Sequence, residues 1–174
     1  MDTYVSEETL IKVAKLFGGE EGARIMEVLK EGGEVTVEEI SSRTNINVND
    51  VRRFLYKLYN HSLVTSRRFR DPETGWFIFY WRLQPELIGG FIQSLKKKIL
   101  RNLEARLEYE RSHEFYHCYK VGCPIVTFEE AMELMFRCPT CGKPLRRYDN
   151  TKIIRVLEKK IKQLREELGV ENPK

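Results

Sequence analysis

Long apolar runs are missing from this 174-residue sequence. The longest, Trp76-Phe77-Ile78-Phe79-Tyr80-Trp81, falls far short of the ~20 residues a membrane-spanning helix needs, so no membrane partner is expected. Histidine is scarce, with only His61, His113 and His117. No glycine-rich loop of the phosphate-cradling kind occurs; Gly18-Gly19, Gly32-Gly33 and Gly89-Gly90 read as helix ends. Nothing pairs a nucleophile with a base, so no enzyme is predicted. Strong charge of either sign is also lacking. The net charge of +4 permits contact with nucleic acid without demanding it. Met1-Asp2-Thr3 shows no signal-peptide pattern, so the expected compartment is the cytoplasm, where thiols stay reduced.

What is present begins with cysteine. Cys118, Cys123, Cys138 and Cys141 fall in two close pairs, the spacing of a four-thiolate structural zinc site. In the second pair, Cys138-Pro139-Thr140-Cys141-Gly142, proline stiffens the turn and glycine lets the backbone fold under the metal. The first pair is looser, with Tyr119-Lys120-Val121-Gly122 between its cysteines. Two disulfides or four free thiols are the alternatives, and His117 is a substitute ligand if the loose knuckle fails. Four thiolates close the coordination sphere, so one Zn2+ here is expected to be structural.

Along the chain, Ser6-Glu7-Glu8 opens a helix carrying Leu10, Val13, Ala14 and Phe17, and Gly18-Gly19 stop it. A second helix carries Ile25, Met26, Val28 and Leu29, and a short extended piece, Glu34-Val35, follows. Thr36-Val37-Glu38-Glu39 is a capping box, opening a helix to about Arg43. After a turn at Thr44-Asn45-Ile46, another helix runs from Asn47 to about Tyr59. Val51, Leu55 and Leu58 mark its apolar face; Arg53, Tyr56, Lys57 and Asn60 mark a basic, polar one. The period then changes. Leu63–Arg70 and Trp76–Leu83 read as strands around Asp71-Pro72-Glu73-Thr74-Gly75. Helices followed by such a hairpin make a winged helix-turn-helix, with the hairpin as wing. Alternation predicts that Phe77, Phe79 and Trp81 face the helices, leaving Trp76, Ile78 and Tyr80 partly exposed as a contact stripe.

Pro85 suits a helix start, and past Gly89-Gly90 a long helix carries the seam Phe91, Leu95, Ile99, Leu103 and Leu107. Thr127-Phe128-Glu129-Glu130 caps a short helix to about Met135. Phe115, Ile125, Phe128, Met132 and Leu145 are the predicted core of the metal module. From Thr151, Ile154, Leu157, Ile161, Leu164 and Leu168 form a coiled-coil-like seam ending at Gly169. The fold class is therefore α+β: winged helix over 1–85, connecting helix over 86–112, zinc ribbon over 113–150 and C-terminal helix over 151–174. The basic residues fall into three groups: Arg53 and Lys57 on the helix, Arg67, Arg68 and Arg70 on the wing, and Lys96–Lys98. The wing is read as contacting DNA or protein and the helix as a candidate for DNA.

This order of parts resembles the archaeal transcription factor E family, counterpart of the alpha subunit of eukaryotic TFIIE. Thr74-Gly75-Trp76-Phe77, Thr127-Phe128-Glu129-Glu130-Ala131-Met132 and Phe136-Arg137-Cys138-Pro139-Thr140-Cys141-Gly142-Lys143-Pro144-Leu145 carry the likeness. The resemblance implies a non-enzymatic initiation factor that joins RNA polymerase in the promoter complex with TBP and TFB. It would assist promoter opening through the polymerase clamp and the non-template strand of promoter DNA, with the ribbon towards the clamp base and stalk. Some members pair with a beta subunit. Arg67, Arg68, Arg70, Trp76 and Tyr80 fall where the family's wing faces clamp and DNA. The four-residue first knuckle departs from the family's usual two. A winged-helix repressor with a zinc-stabilised dimerisation or sensing module is the competing reading, and a redox sensor built on the loose knuckle is a third.

Overall fold

The computed structural model describes residues 6–170, which divide into two compact units at Gln93/Ser94. In the first unit, α1 spans Glu7–Gly32, and Ser6 caps it by accepting from the Thr9 amide. The two helices expected here form one span with a break. Gly18 (φ −147°) and Gly19 (φ 59°, ψ −144°) leave helical geometry, the second in a conformation that suits glycine. β1 (Glu34–Thr36) leads into α2 (Val37–Thr44), whose Thr36–Glu39 capping box is complete in both directions. Asn45 turns the chain in the left-handed region (φ 56°), and Asn47 caps α3 (Val48–Tyr59). The aromatic ring of Phe54, on α3, lies in the bend of α1. A Cβ at either Gly18 or Gly22 would stand 2.6 Å from that ring.

β2 (Val64–Arg70) and β3 (Phe77–Leu83) form the antiparallel wing, with β3 central in a sheet ordered β1-β3-β2. The register pairs Val64 with Leu83, Ser66 with Trp81, Arg68 with Phe79 and Arg70 with Phe77. Those residues share one face of the ribbon. Its near end is covered: Val64, Trp81 and Leu83 join the core of Ile25, Met26, Leu29, Ile40, Leu55 and Leu58. Its far end is bare, with Phe77 and Phe79 52% and 46% exposed, against the expectation that they face the helices. Alternation assigned the right face, but the hairpin reaches beyond the helices that could cover it. The second strand also begins one residue later than expected, leaving Trp76 in the turn.

α4 runs from Pro85 to Ser112. Gly89 and Gly90 lie inside it and end nothing, contrary to the sequence expectation; Ile88 beside them is fully buried in the first unit's core. Burial of that turn offsets the weak helix propensity of the glycines. In the second unit, half-buried Leu95, Leu103 and Leu107 keep the expected seam on α4, but Leu100 is buried in place of Ile99, which is exposed. Three strands, β4 (Phe115–His117), β5 (Val126–Thr127) and β6 (Arg146–Tyr148), form an antiparallel sheet ordered β5-β4-β6. Between β5 and β6 lies α5 (Phe128–Glu133), opened by the complete Thr127–Glu130 capping box. It stops before Met135, because Met135 and Phe136 both turn into the left-handed region.

The ribbon core is Val126, Ala131, Cys138 and Leu145, packed by Tyr116, Leu134, Phe136 and the other cysteines. Phe115 and Leu145 are buried as expected, but Ile125, Phe128 and Met132 are exposed. A module this small has too little interior for them once the thiols occupy its centre. α6 (Thr151–Leu168) ends at Gly169 (φ 64°). Its Ile161 is buried, and ion pairs join it to the second-unit part of α4: Arg165–Glu104, Arg111–Glu158 and Lys96–Glu167. At its start, Asn150 donates to both the carbonyl and the carboxylate of buried Glu110.

Candidate metal centre and wing surface

Two turns build the metal centre. In the second knuckle the Cys138 amide donates to Lys143 O at 2.8 Å and the Gly142 amide to Cys138 O at 2.9 Å. Gly142 adopts φ 69°, the left-handed conformation this turn requires. In the wider first knuckle Tyr119 (φ 58°) and Gly122 (φ 83°) bend the backbone, and the Cys123 amide reaches Lys120 O at 3.2 Å. All four sulfurs converge within 4.8 Å of one another, with Cys118 Sγ and Cys141 Sγ 3.7 Å apart. The cysteines are free, which sets aside the disulfide alternative. A tetrahedron with ~2.3 Å metal–sulfur bonds has edges of about 3.8 Å, so the separation of Cys118 and Cys141 suits a shared ion.

The acid–base chemistry points the same way. Burial pushes the Cys123 thiol up to about 12, and the Cys118, Cys141 and Cys138 sulfurs add to the rise. Burial also opposes ionisation of Cys138, but the backbone amides of Cys141 and Thr140 and the neighbouring thiols outweigh it and hold that group at about 6. Four sulfurs so close cannot all be thiolates unless a cation shares their charge. His117 is not a fifth member. One ring nitrogen lies 3.1 Å from Cys123 O, and the other accepts from the Tyr119 amide at 3.2 Å. It therefore bridges the backbone on either side of the wide knuckle, a role that no spacing in the sequence disclosed.

On α3, Arg53 lies 3.1 Å from Asp50, Arg52 3.3 Å from Glu38, and Lys57 donates to Phe17 O at 3.1 Å. The basic face expected to meet DNA thus has its cations engaged inside the unit. The wing differs. Arg68 and Arg70 share a face with Phe77 and Phe79, and the Arg68 guanidinium stacks 4.5 Å from the Phe77 ring centroid. Arg67 and half-buried Tyr80 are paired on the opposite face, with exposed Phe69 alongside. Trp76 stands at the tip, 76% exposed. The five wing residues expected to act together are therefore divided between two faces and a tip. Phe69, Phe77 and Phe79 are aromatic members that the sequence reading left out of the set.

A winged helix joined in one chain to a cysteine-clustered ribbon has relatives among known proteins. The family described as TFIIE alpha subunit matches residues 8–112. The chain belongs to this family. Its members are transcription factors without enzymatic activity. The chain is similar to transcription factor E of Thermococcus kodakarensis, 45% identical over 161 residues (92% of this chain, 87% of that protein). It is 41% identical to transcription factor E of Cenarchaeum symbiosum over 168 residues, 97% of both chains, and this span takes in the ribbon. Transcription factor E of Metallosphaera sedula is 46% identical over 138 residues, 79% of this chain and 78% of that one. A solved structure, a possible transcriptional regulator from Methanosarcina mazei, gives a TM-score of 0.43 at 16% identity, covering 56% of this chain and 86% of that one. Among the described residues no helix is long and apolar enough to cross a membrane.

Proposed function

We propose that this member of the TFIIE alpha family is a basal initiation factor that joins RNA polymerase in the promoter complex with TBP and TFB. It assists promoter opening and holds the open state through the polymerase clamp and the non-template strand, with the ribbon directed towards clamp base and stalk. A beta subunit is a further candidate partner, and the cytoplasm is the proposed compartment. Its working parts are the winged helix (1–85), connecting helix (86–112), ribbon (113–150) and C-terminal helix (151–174). Cys118, Cys123, Cys138 and Cys141 hold one Zn2+, which closes the ribbon and leaves no position for substrate.

The observation that carries this reading is the bare end of the wing, where Trp76, Phe77 and Phe79 stand exposed beside Arg68 and Arg70. Aromatic edges pack on a protein surface or stack on unpaired bases without regard to sequence, whereas a basic helix contributes mainly phosphate attraction. A factor favours the melted promoter only by its differential affinity for that state. Trp76→Ala with Phe77→Ala should therefore reduce promoter opening, read as permanganate reactivity of bubble thymines in a reconstituted system. Arg53→Ala with Lys57→Ala should reduce it less, and a pre-melted template should shrink the difference. Equal opening by the wing variant and the native protein overturns the reading; tight binding to one duplex sequence by the protein alone would favour the repressor instead.

A further inference from the structure

The face of α6 turned away from α4 carries three cations, with Glu166 as the carboxylate further along the same face. The side turned to α4 holds buried Ile161 and its ion-paired neighbours: Glu158 meets Arg111 at 2.7 Å and Glu167 meets Lys96 at 2.9 Å. On the opposite side Lys152, Arg155 and Lys159 recur at i, i+3 and i+7, all exposed. None of the three has a hydrogen bond or ion pair among the described residues. The nearest compensation is Asp149, whose carboxyl is held low first by the Thr151 hydroxyl and amide and, more weakly, by Lys152 and Arg155. Lys152, in the first turn, is also badly placed for the helix itself. The first turn of α6 has no acidic residue, whereas α1, α2, α3, α4 and α5 each have one or more. A cation there opposes the helix dipole, so helix stability does not explain Lys152.

We propose that this outer face of α6 binds the phosphate backbone of duplex DNA, without regard to sequence. Seven residues of helix rise span about 10 Å, close to the three steps between four successive phosphates at ~3.4 Å of duplex axis per strand, so each of the three cations can meet a separate phosphate. A membrane surface would require an apolar face, and the apolar side of α6 is turned to α4. A protein partner would be expected to find a buried aromatic or arginine anchor with an apolar surround, and this strip offers only exposed Val156. The site belongs to the second unit and the wing to the first, and the proposal does not depend on the function proposed for the wing.

The test is fluorescence anisotropy of the metal-loaded full chain with a duplex of arbitrary sequence, titrated over a range of salt. Three phosphate contacts contribute roughly 2.7 to the slope of log affinity against log salt, or about a 40-fold loss between 50 and 200 mM. Lys152→Gln, Arg155→Gln and Lys159→Gln together should lower the slope by about that amount, and Lys152→Gln alone by about 0.9. The far-UV circular dichroism melt should not fall, because the three side chains are exposed, glutamine keeps helix propensity and loss of Lys152 removes a charge that opposes the helix dipole. A control triple, Lys97→Gln, Lys98→Gln and Arg101→Gln, removes as many exposed cations from the same unit and should leave most of the slope. An unchanged slope in the α6 variant, or an equal fall in the control, overturns the proposal. So does an α6 variant that keeps its DNA affinity but loses an acidic protein partner.

Discussion

At Gly22 an added methyl group would stand 2.6 Å from the Ala14 carbonyl oxygen and 2.6 Å from the Phe54 ring. Helix propensity alone favours alanine there by about 1 kcal/mol, while overpacking a well-filled site costs about 1–3 kcal/mol. The obstructing atom is backbone as well as side chain, so the clash should win. Gly22→Ala is expected to destabilise the winged helix by about 1–2 kcal/mol in denaturant melts. Gly90→Ala provides the opposite sign, because a Cβ there meets nothing within 4 Å, and it should stabilise by about 0.5–1 kcal/mol. A lowered midpoint for Gly90→Ala, or a raised one for Gly22→Ala, would show that packing is misjudged at these positions. Nothing in the sequence distinguishes these two glycines; only the neighbour each one faces does.

The first knuckle shows how one element is held at an unusual length. Its Cys118–Cys123 loop lacks the short turn of the second knuckle, and His117 spans it by contacts to the Tyr119 amide and the Cys123 carbonyl. The Tyr119 hydroxyl fixes the loop from outside, donating to Arg147 O at 2.9 Å. Groups that orient metal ligands typically matter by 10–100-fold in affinity. Because His117 acts through backbone, the low end applies: His117→Ala should weaken Zn2+ retention about tenfold in a chromophoric chelator competition. Replacing Cys138 with serine should abolish it. Native affinity in His117→Ala would mean the wide loop holds itself. The spacing of the cysteines disclosed the ligands but not this bridge, since the imidazole reads equally well as a spare ligand until its two nitrogens are placed.

For the molecule as a whole, the two units have different sources of stability. The first buries a continuous core from α1 to β3, with Ile25, Met26, Leu29, Leu55 and Leu58 almost fully enclosed. The ribbon's buried hydrophobic cluster amounts to Val126, Ala131, Cys138 and Leu145. So small a core cannot offset the entropy of ordering its loops without the bound ion. A fragment of residues 1–93 should keep its cooperative melt in the presence of a strong chelator. In the full chain the chelator should remove the ribbon's near-ultraviolet signal while leaving the winged-helix transition in place. Loss of the fragment's transition on chelation would show that the metal supports more than the ribbon.

What the sequence determined by itself was local chemistry. Thr36 with Glu39, and Thr127 with Glu130, are capping boxes wherever the rest of the chain goes, because their bonds close within one turn. Asp71 to Gly75 fixes a turn, and paired cysteines fix a ligand set. What only the tertiary structure decided was coverage. Phe77 and Trp81 lie on the same strand face with the same pattern, yet one is bare and the other is enclosed, because the helices end beneath the wing's near half. Gly89 and Gly90 stay helical because Ile88 is buried, and Ile125, Phe128 and Met132 are displaced from a core that the sulfurs already fill. Periodicity tells which way a side chain points; whether anything stands there depends on the reach of elements distant in sequence.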